Sequence, residues 1–296
     1  MIAKILILST LNLLVCLYAK AQKLDKKIDY QLELNAAGKG AKTHSPPSLR
    51  DIPKGPFGDM VRLGHKVFTE TDKYAAPYVG NKMKCVNCHL NHGLNANSAP
   101  MWAAYGLYPT YRKKNAKVNS FADRVQGCFK YSMNGTKEPP ANGDVIKGLM
   151  AYSFWSAKGA PAGVKLNGRG YIKLKKPPLG PNKNRGKVIY DKHCVFCHAE
   201  DGQGRVSATG EQAFPPLWGE NSFNWGAGMH RINTAAGFII ANMPFGQPNI
   251  LTEQEAWDVA KYINSYDRPK DPRQKGSIKE AKEKFHKHDC EYGSQN

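Results

Sequence analysis

Two short stretches place the same chemical groups at the same spacing: Cys85-Val86-Asn87-Cys88-His89 and Cys194-Val195-Phe196-Cys197-His198. A pair of thiols followed at once by an imidazole suits addition of both sulfurs to the vinyl groups of a haem, with the histidine on the iron from one side. A zinc site would need two further ligands per motif at a recognisable spacing, and a redox dithiol would need a strand–helix–strand setting; neither is visible. The motifs therefore predict two covalently attached haem c groups. Cys85 and Cys88 hold the first and Cys194 and Cys197 the second, with His89 and His198 as iron ligands.

The opposite face of each iron decides potential and use. For the second haem, Met243 stands in Asn242-Met243-Pro244, just before the last long helical pattern, where a small cytochrome c places its thioether ligand. Met229 and His230 compete for that position. The first half has no Met-Pro at the matching place, and Cys128, Met133 and His92 are the groups within reach. Of the seven cysteines, Cys16 falls in the N-terminal leader and four belong to the motifs, so Cys128 and Cys290 remain. They are free to pair as a disulfide in an oxidising compartment, or Cys128 is free to act on the first haem. A thiolate there would lower the potential, and Arg124 and Lys130 nearby would help to keep the sulfur deprotonated.

These groups need a scaffold, and the pattern predicts one unit used twice. Met60, Val61, Gly64, Val67 and Phe68 recur at helical spacing from Phe57 to about Thr69. Gly186, Ile189 and Tyr190 repeat the end of that pattern before the second motif. After each motif comes another helix, Leu149-Met150-Ala151-Tyr152 paralleling Val259-Ala260-Lys261-Tyr262, the latter opened by a Thr252/Glu255 capping box. First and last helices of each unit are expected to cross at the glycine. The fold class is all-α, two class I cytochrome c-like domains joined by a Gly/Pro/Lys-rich linker. The expected division is a signal peptide at 1–21, an N-terminal arm at 22–56, the first haem domain at 57–156, the linker at 157–183, the second haem domain at 184–268 and a charged tail at 269–296. The tail is expected to be a surface extension with His286 and His288 in solvent.

Lys4, the apolar run Ile5 to Tyr18 and Ala19-Lys20-Ala21 read as a cleaved export signal, giving a periplasmic product with no stable membrane span. The run is short for the roughly 20 apolar residues of a span. The formal net charge of +19 would steer small anions or an acidic redox partner toward the protein. Export argues against nucleic acid.

The runs Tyr78-Val79-Gly80-Asn81, Cys85-Val86-Asn87-Cys88-His89-Leu90, Tyr108-Pro109-Thr110-Tyr111-Arg112, Cys128-Phe129 and Ser132-Met133-Asn134-Gly135 resemble the periplasmic thiosulfate dehydrogenases. Phe214-Pro215-Pro216-Leu217-Trp218-Gly219 and Asn242-Met243-Pro244 continue the likeness, which covers roughly residues 57–268. The resemblance implies dihaem enzymes that couple two thiosulfate ions to tetrathionate, also run the reverse reaction, and exchange electrons with a small c-type cytochrome. It further implies that Cys128 ligates the catalytic haem in the first domain, and that Arg124, Ser132 and Lys114 attend the substrate. Lys114 stands where the family often has arginine and so lacks the planar fork. Asn242 stands where some members have a lysine able to compete with the methionine. A pure electron carrier, a dihaem peroxidase, which Cys128 on the first iron fits poorly, and a sulfur-transfer cytochrome are the alternatives.

Overall fold

Glycine decides how the helices of this chain meet. In the computed structural model, which describes residues 44–294, the helix α1 (Pro56–Thr69) crosses a helix from Asp144 to Ser156. A Cβ on Gly64 would lie 1.9 Å from the Gly148 carbonyl oxygen, so the backbones touch and only glycine fits. The second half repeats the arrangement. Its first helix, from Lys183 to His193, meets one from Glu253 to Asn264, and a Cβ on Gly186 would lie 2.0 Å from the Asp258 carbonyl oxygen.

Numbered along the chain, the longer helices after α1 are α2 (Phe121–Tyr131), α3 (Asp144–Ser156), α4 (Lys183–His193), α5 (Ile232–Asn242), α6 (Glu253–Asn264) and α7 (Ile278–Phe285). The expected amphipathic faces are the buried ones. Val61, Val67, Phe68, Leu149 and Tyr152 fill the first core; Tyr190, Val259, Ala260 and Tyr262 fill the second. Each such large apolar side chain contributes about 1.5–3 kcal/mol when fully buried. The Thr252/Glu255 capping box opens α6 as its residues predict. Among the described residues no helix is long and apolar enough to cross a membrane.

The structure adds to an all-helical reading two small antiparallel hairpins. β1 (Thr110–Arg112) pairs with β2 (Lys117–Asn119), and β3 (Arg205–Val206) with β4 (Gln212–Phe214). Strands of two or three residues are too short to show alternation in sequence.

The stretch between the halves is a structural part of both. Asn97 N donates to Gly168 O and Ala99 N to Gly170 O, while Gly237 on α5 leaves room for the Ile172 carbonyl. Residues 44–56 lie along the first half: His44 Nε2 meets Ser156 O at 3.1 Å, and Leu49 and Ile52 pack on its core. The signal-peptide reading and most of the N-terminal arm fall outside the described residues.

The tail corrects expectation. Rather than extending into solvent, α7 and the residues after it pack against the 224–231 loop. His286 and Tyr292 are 3% and 4% exposed. The cause is an amphipathic α7, whose Ala281 faces Trp225 and whose Phe285 stacks under Arg273. His288 lies against His230 rather than in open solvent.

Candidate functional site

The first motif forms one wall of a cavity of about 260 Å³. Cys85, Cys88 and His89 sit on that wall, and Arg124, Cys128, Ser132 and Met133 line it as well. Burial pushes the thiols of Cys85 and Cys88 up to about 12, so both are protonated here. Burial also drives His89 down to about 4, leaving a neutral imidazole. Its Nδ1 donates to the Ala99 carbonyl at 2.7 Å, which fixes the tautomer and leaves Nε2 with its lone pair. His198 repeats this with Pro215 O at 3.0 Å and is likewise held neutral by burial. Met243, at the end of α5, packs into the same apolar cluster as Cys194.

Arg124 and Cys128 share one face of α2 because helix neighbours lie four residues apart. Nη1 of Arg124 donates to Cys128 Sγ at 2.9 Å. Arg124 is held above the ordinary arginine value, first by attraction to Cys128 and against the cost of burial. The helix was legible from Ser120-x-x-Asp123, a capping box that closes on both sides here. Its C-terminal end is clamped by the segment that contains Gly80 and Asn81. Gly80 N donates to Met133 O, and Asn81 Nδ2 bridges Ser132 O and Ser222 O. Asn224, fully buried, holds the same end through Lys130 O and Asn134 Oδ1.

Cys128 and Cys290 are both free thiols, so no disulfide joins them. His92 does not line the cavity; it pairs with His65 at 3.0 Å on the far side of α1. Met229, weighed for the second haem, lines the first cavity and packs against both cores. Arg112 and Arg169 are cavity residues that the sequence reading left without a role, since two separate segments supply them.

Lys114 lies in an adjoining cavity of about 420 Å³, lined by Arg112, Lys113, Lys114, Arg231, Arg273 and Lys284 with Phe285. Arg112 lines both spaces. The residue is exposed as a whole, but its ammonium donates to Gly226 O at 2.6 Å and lies 3.8 Å from the Tyr131 ring centre. Desolvation of that end, then Arg273 and Arg124, hold it down to about 7.

The residues fit covalently held haem on a further ground. Trp257 Nε1 in the second core and Nε and Nη1 of Arg268, whose guanidinium lies over Phe223 at the first cavity, are buried without protein partners. A carboxylate-bearing prosthetic group supplies acceptors for such donors.

Residues 181–263 match the family model described as cytochrome C oxidase, cbb3-type, subunit III. The fold is similar to a solved structure of thiosulfate dehydrogenase (TsdBA) from Marichromatium purpuratum in its "as isolated" form, with a TM-score of 0.83 and 48% identity over 85% of this chain. The match takes in 55% of that chain, so this chain spans about half its length. Fold and motifs together define a c-type cytochrome with covalently bound haem and two cytochrome c-like halves. The chain is 52% identical over 267 residues to thiosulfate dehydrogenase of Stutzerimonas stutzeri (strain A1501), covering 89% of this chain and 86% of the relative. It is 51% identical over 255 residues to that of Thiomonas intermedia (strain K12), covering 86% and 80%. The chain belongs to the thiosulfate dehydrogenase family.

Proposed function

We propose that this protein is an oxidoreductase that couples two thiosulfate ions to tetrathionate and also runs the reverse reduction. The observation that carries the reading is the Arg124–Cys128 pair in the cavity walled by the first CxxCH motif, beside a space lined by six cations. In this reading Cys85, Cys88, Cys194 and Cys197 hold the two haems, and His89 with Cys128 and His198 with Met243 are the iron ligands. Bound haem supplies one-electron acceptors, the second at the higher potential that a His/Met pair favours.

The chain's own residues handle the charge. Two dianions repel each other, and the six-cation space raises their local concentration. Arg112 lines both cavities and leads from one to the other. Inside, Arg124 offers charge-assisted hydrogen bonds to sulfonate oxygens, the strong kind, in a partly dry setting. Ser132 offers a hydroxyl. Cys128 Sγ bonds to the outer sulfur of one thiosulfate, forming Cys–S–S–SO3⁻ as two electrons leave. The outer sulfur of a second thiosulfate then attacks that disulfide, tetrathionate departs and the Cys128 thiolate returns. Lys114 shapes the entrance through Gly226 and adds charge when protonated. Electrons leave through the second half to a small c-type cytochrome, and the 1–21 segment exports the chain to the periplasm.

The test is an assay of haem-loaded protein with thiosulfate and an electron-accepting dye, then with tetrathionate and a reduced dye. Wild type is expected to turn over in both directions. Cys128→Gly is expected to lose at least about 10³-fold in either, the scale of losing a nucleophile, while keeping both haems. Full activity in Cys128→Gly would remove the site assignment. A wild type inert to both anions would remove the function.

A further inference from the structure

Behind the six-cation space, outside the haem machinery, three imidazoles and a thiol converge. His230, His286, His288 and Cys290 each offer one ligand atom, and the four atoms lie within 4.8 Å of one another. His230 and His286 are 2% and 3% exposed.

Their hydrogen bonds set the ring nitrogens in a defined way. His230 Nδ1 donates to the Ala227 carbonyl, so in the neutral ring Nε2 keeps its lone pair, and Nε2 faces His288 Nε2 at 2.7 Å. His286 Nε2 donates to Asp271 Oδ2 at 2.9 Å, which leaves its Nδ1 lone pair toward Cys290 Sγ at 3.5 Å. His230 and His286 thus have a backbone carbonyl and a carboxylate behind their rings, which is how metal-binding histidines are oriented. Asp271 is itself gripped by Arg273 at 2.6 Å and is fully buried, so it is fixed in place. Nothing in the catalytic reading uses this arrangement.

We propose that His230 Nε2, His286 Nδ1, His288 Nε2 and Cys290 Sγ form a closed four-coordinate site for one zinc ion. Three neutral imidazoles and one thiolate are a borderline-soft set, and a tetrahedral zinc ion asks for ligand atoms about 3.3–3.6 Å apart. Reaching that spacing means opening the 2.7 Å contact between His230 and His288 and closing the wider pairs from 4.8 Å, by side-chain shifts of about an ångström, mostly at His288 and Cys290, the less buried pair. On binding, Cys290 gives its proton to solvent as the sulfur–zinc bond forms. The ion ties the tail to the 224–231 loop. That loop carries Ala227 and Met229 into the first cavity and receives the Lys114 ammonium at Gly226. Zinc is thereby a brace for one wall of the reaction space and not a participant in it.

The test is elemental analysis of the full haem-loaded protein grown with zinc and desalted. One zinc per chain is expected. X-ray absorption at the zinc edge should show one sulfur at about 2.3 Å and three nitrogens at about 2.0 Å. Cys290→Ser and His288→Gln are each expected to fall to about a tenth of an equivalent or less with both haems retained. Should those variants fail to fold, wild type is stripped with a chelator and retitrated, and uptake of one zinc with the same spectrum supports the site. Wild type that takes up no zinc, zinc with no sulfur neighbour, or copper in its place would overturn the assignment.

Discussion

The two halves solve one problem in the same way and then part company. In both, a helix carrying a glycine crosses a second helix at backbone contact, and a histidine is tautomer-locked by a loop carbonyl. In the proposed function they differ in the groups set against that histidine. The first half presents an arginine–cysteine pair from α2, beside a cationic space. The second presents Met243 from the end of α5, preceded by Asn242, which is bonded to Asn95 and Asn97 O of the first half. Under the proposed function, the shared scaffold holds the prosthetic group and a few side chains separate a reaction site from a conduit.

The sharpest way to break that statement is to make the first half resemble the second. Cys128→Met is expected to abolish turnover by about 10³-fold or more, with both haems bound and the first potential raised. Spectroelectrochemical titration beside the dye assay reads both effects; retained turnover would refute the distinction between the halves.

The crossings come next. Gly64→Ala and Gly186→Ala are each expected to cost about 2–3 kcal/mol in denaturant unfolding, after allowing for the roughly 1 kcal/mol that alanine gains in helix propensity. Gly148→Ala should be within about 1 kcal/mol of wild type, because the second half already holds a side chain at the matching place. There Asp258 is bonded to Arg185 at 2.7 Å and caps Asn182 N. An equal cost at Gly64 and Gly148 would show that the crossings are not equivalent.

Arg124→Lys keeps charge and loses the fork. A fall in kcat/KM of about 10–100-fold is expected, about 1.4–2.7 kcal/mol, with the second half's spectrum unmoved. The smallest effect is at Lys114. Its ammonium is charged below about 7 and loses the charge as pH rises through that value. Thiosulfate KM should therefore rise a few-fold from pH 6 to pH 8, since the other cations of the space remain. Lys114→Met is expected to flatten that profile, and an unchanged profile would sever Lys114 from substrate.

What the residues disclosed follows from distance along the chain. The CxxCH motifs, the glycine spacing and the α6 cap are local patterns, and each appears where its local physics puts it. Helix α2 was also local, in Ser120 and Asp123, and so was α7, in Ser277 and Glu280. Both boxes lie in stretches dominated by other signals, Cys128 in one case and a run of charge in the other. The six-cation space draws on the β1–β2 hairpin, Arg231, Arg273 and α7, and the histidine cluster joins His230 to residues over fifty positions later. No periodicity links such segments, so only the packed chain reveals them.

Leu90, the residue after His89, is packed into the apolar core of the other half. The link between the two redox halves is therefore built of side chains in contact, not of a tether whose ends must search for each other. The 157–182 stretch adds to that junction through its bonds to Asn97 and Ala99 and its fit against Gly237. Under the proposed function, electrons would cross a packed junction that folding sets once.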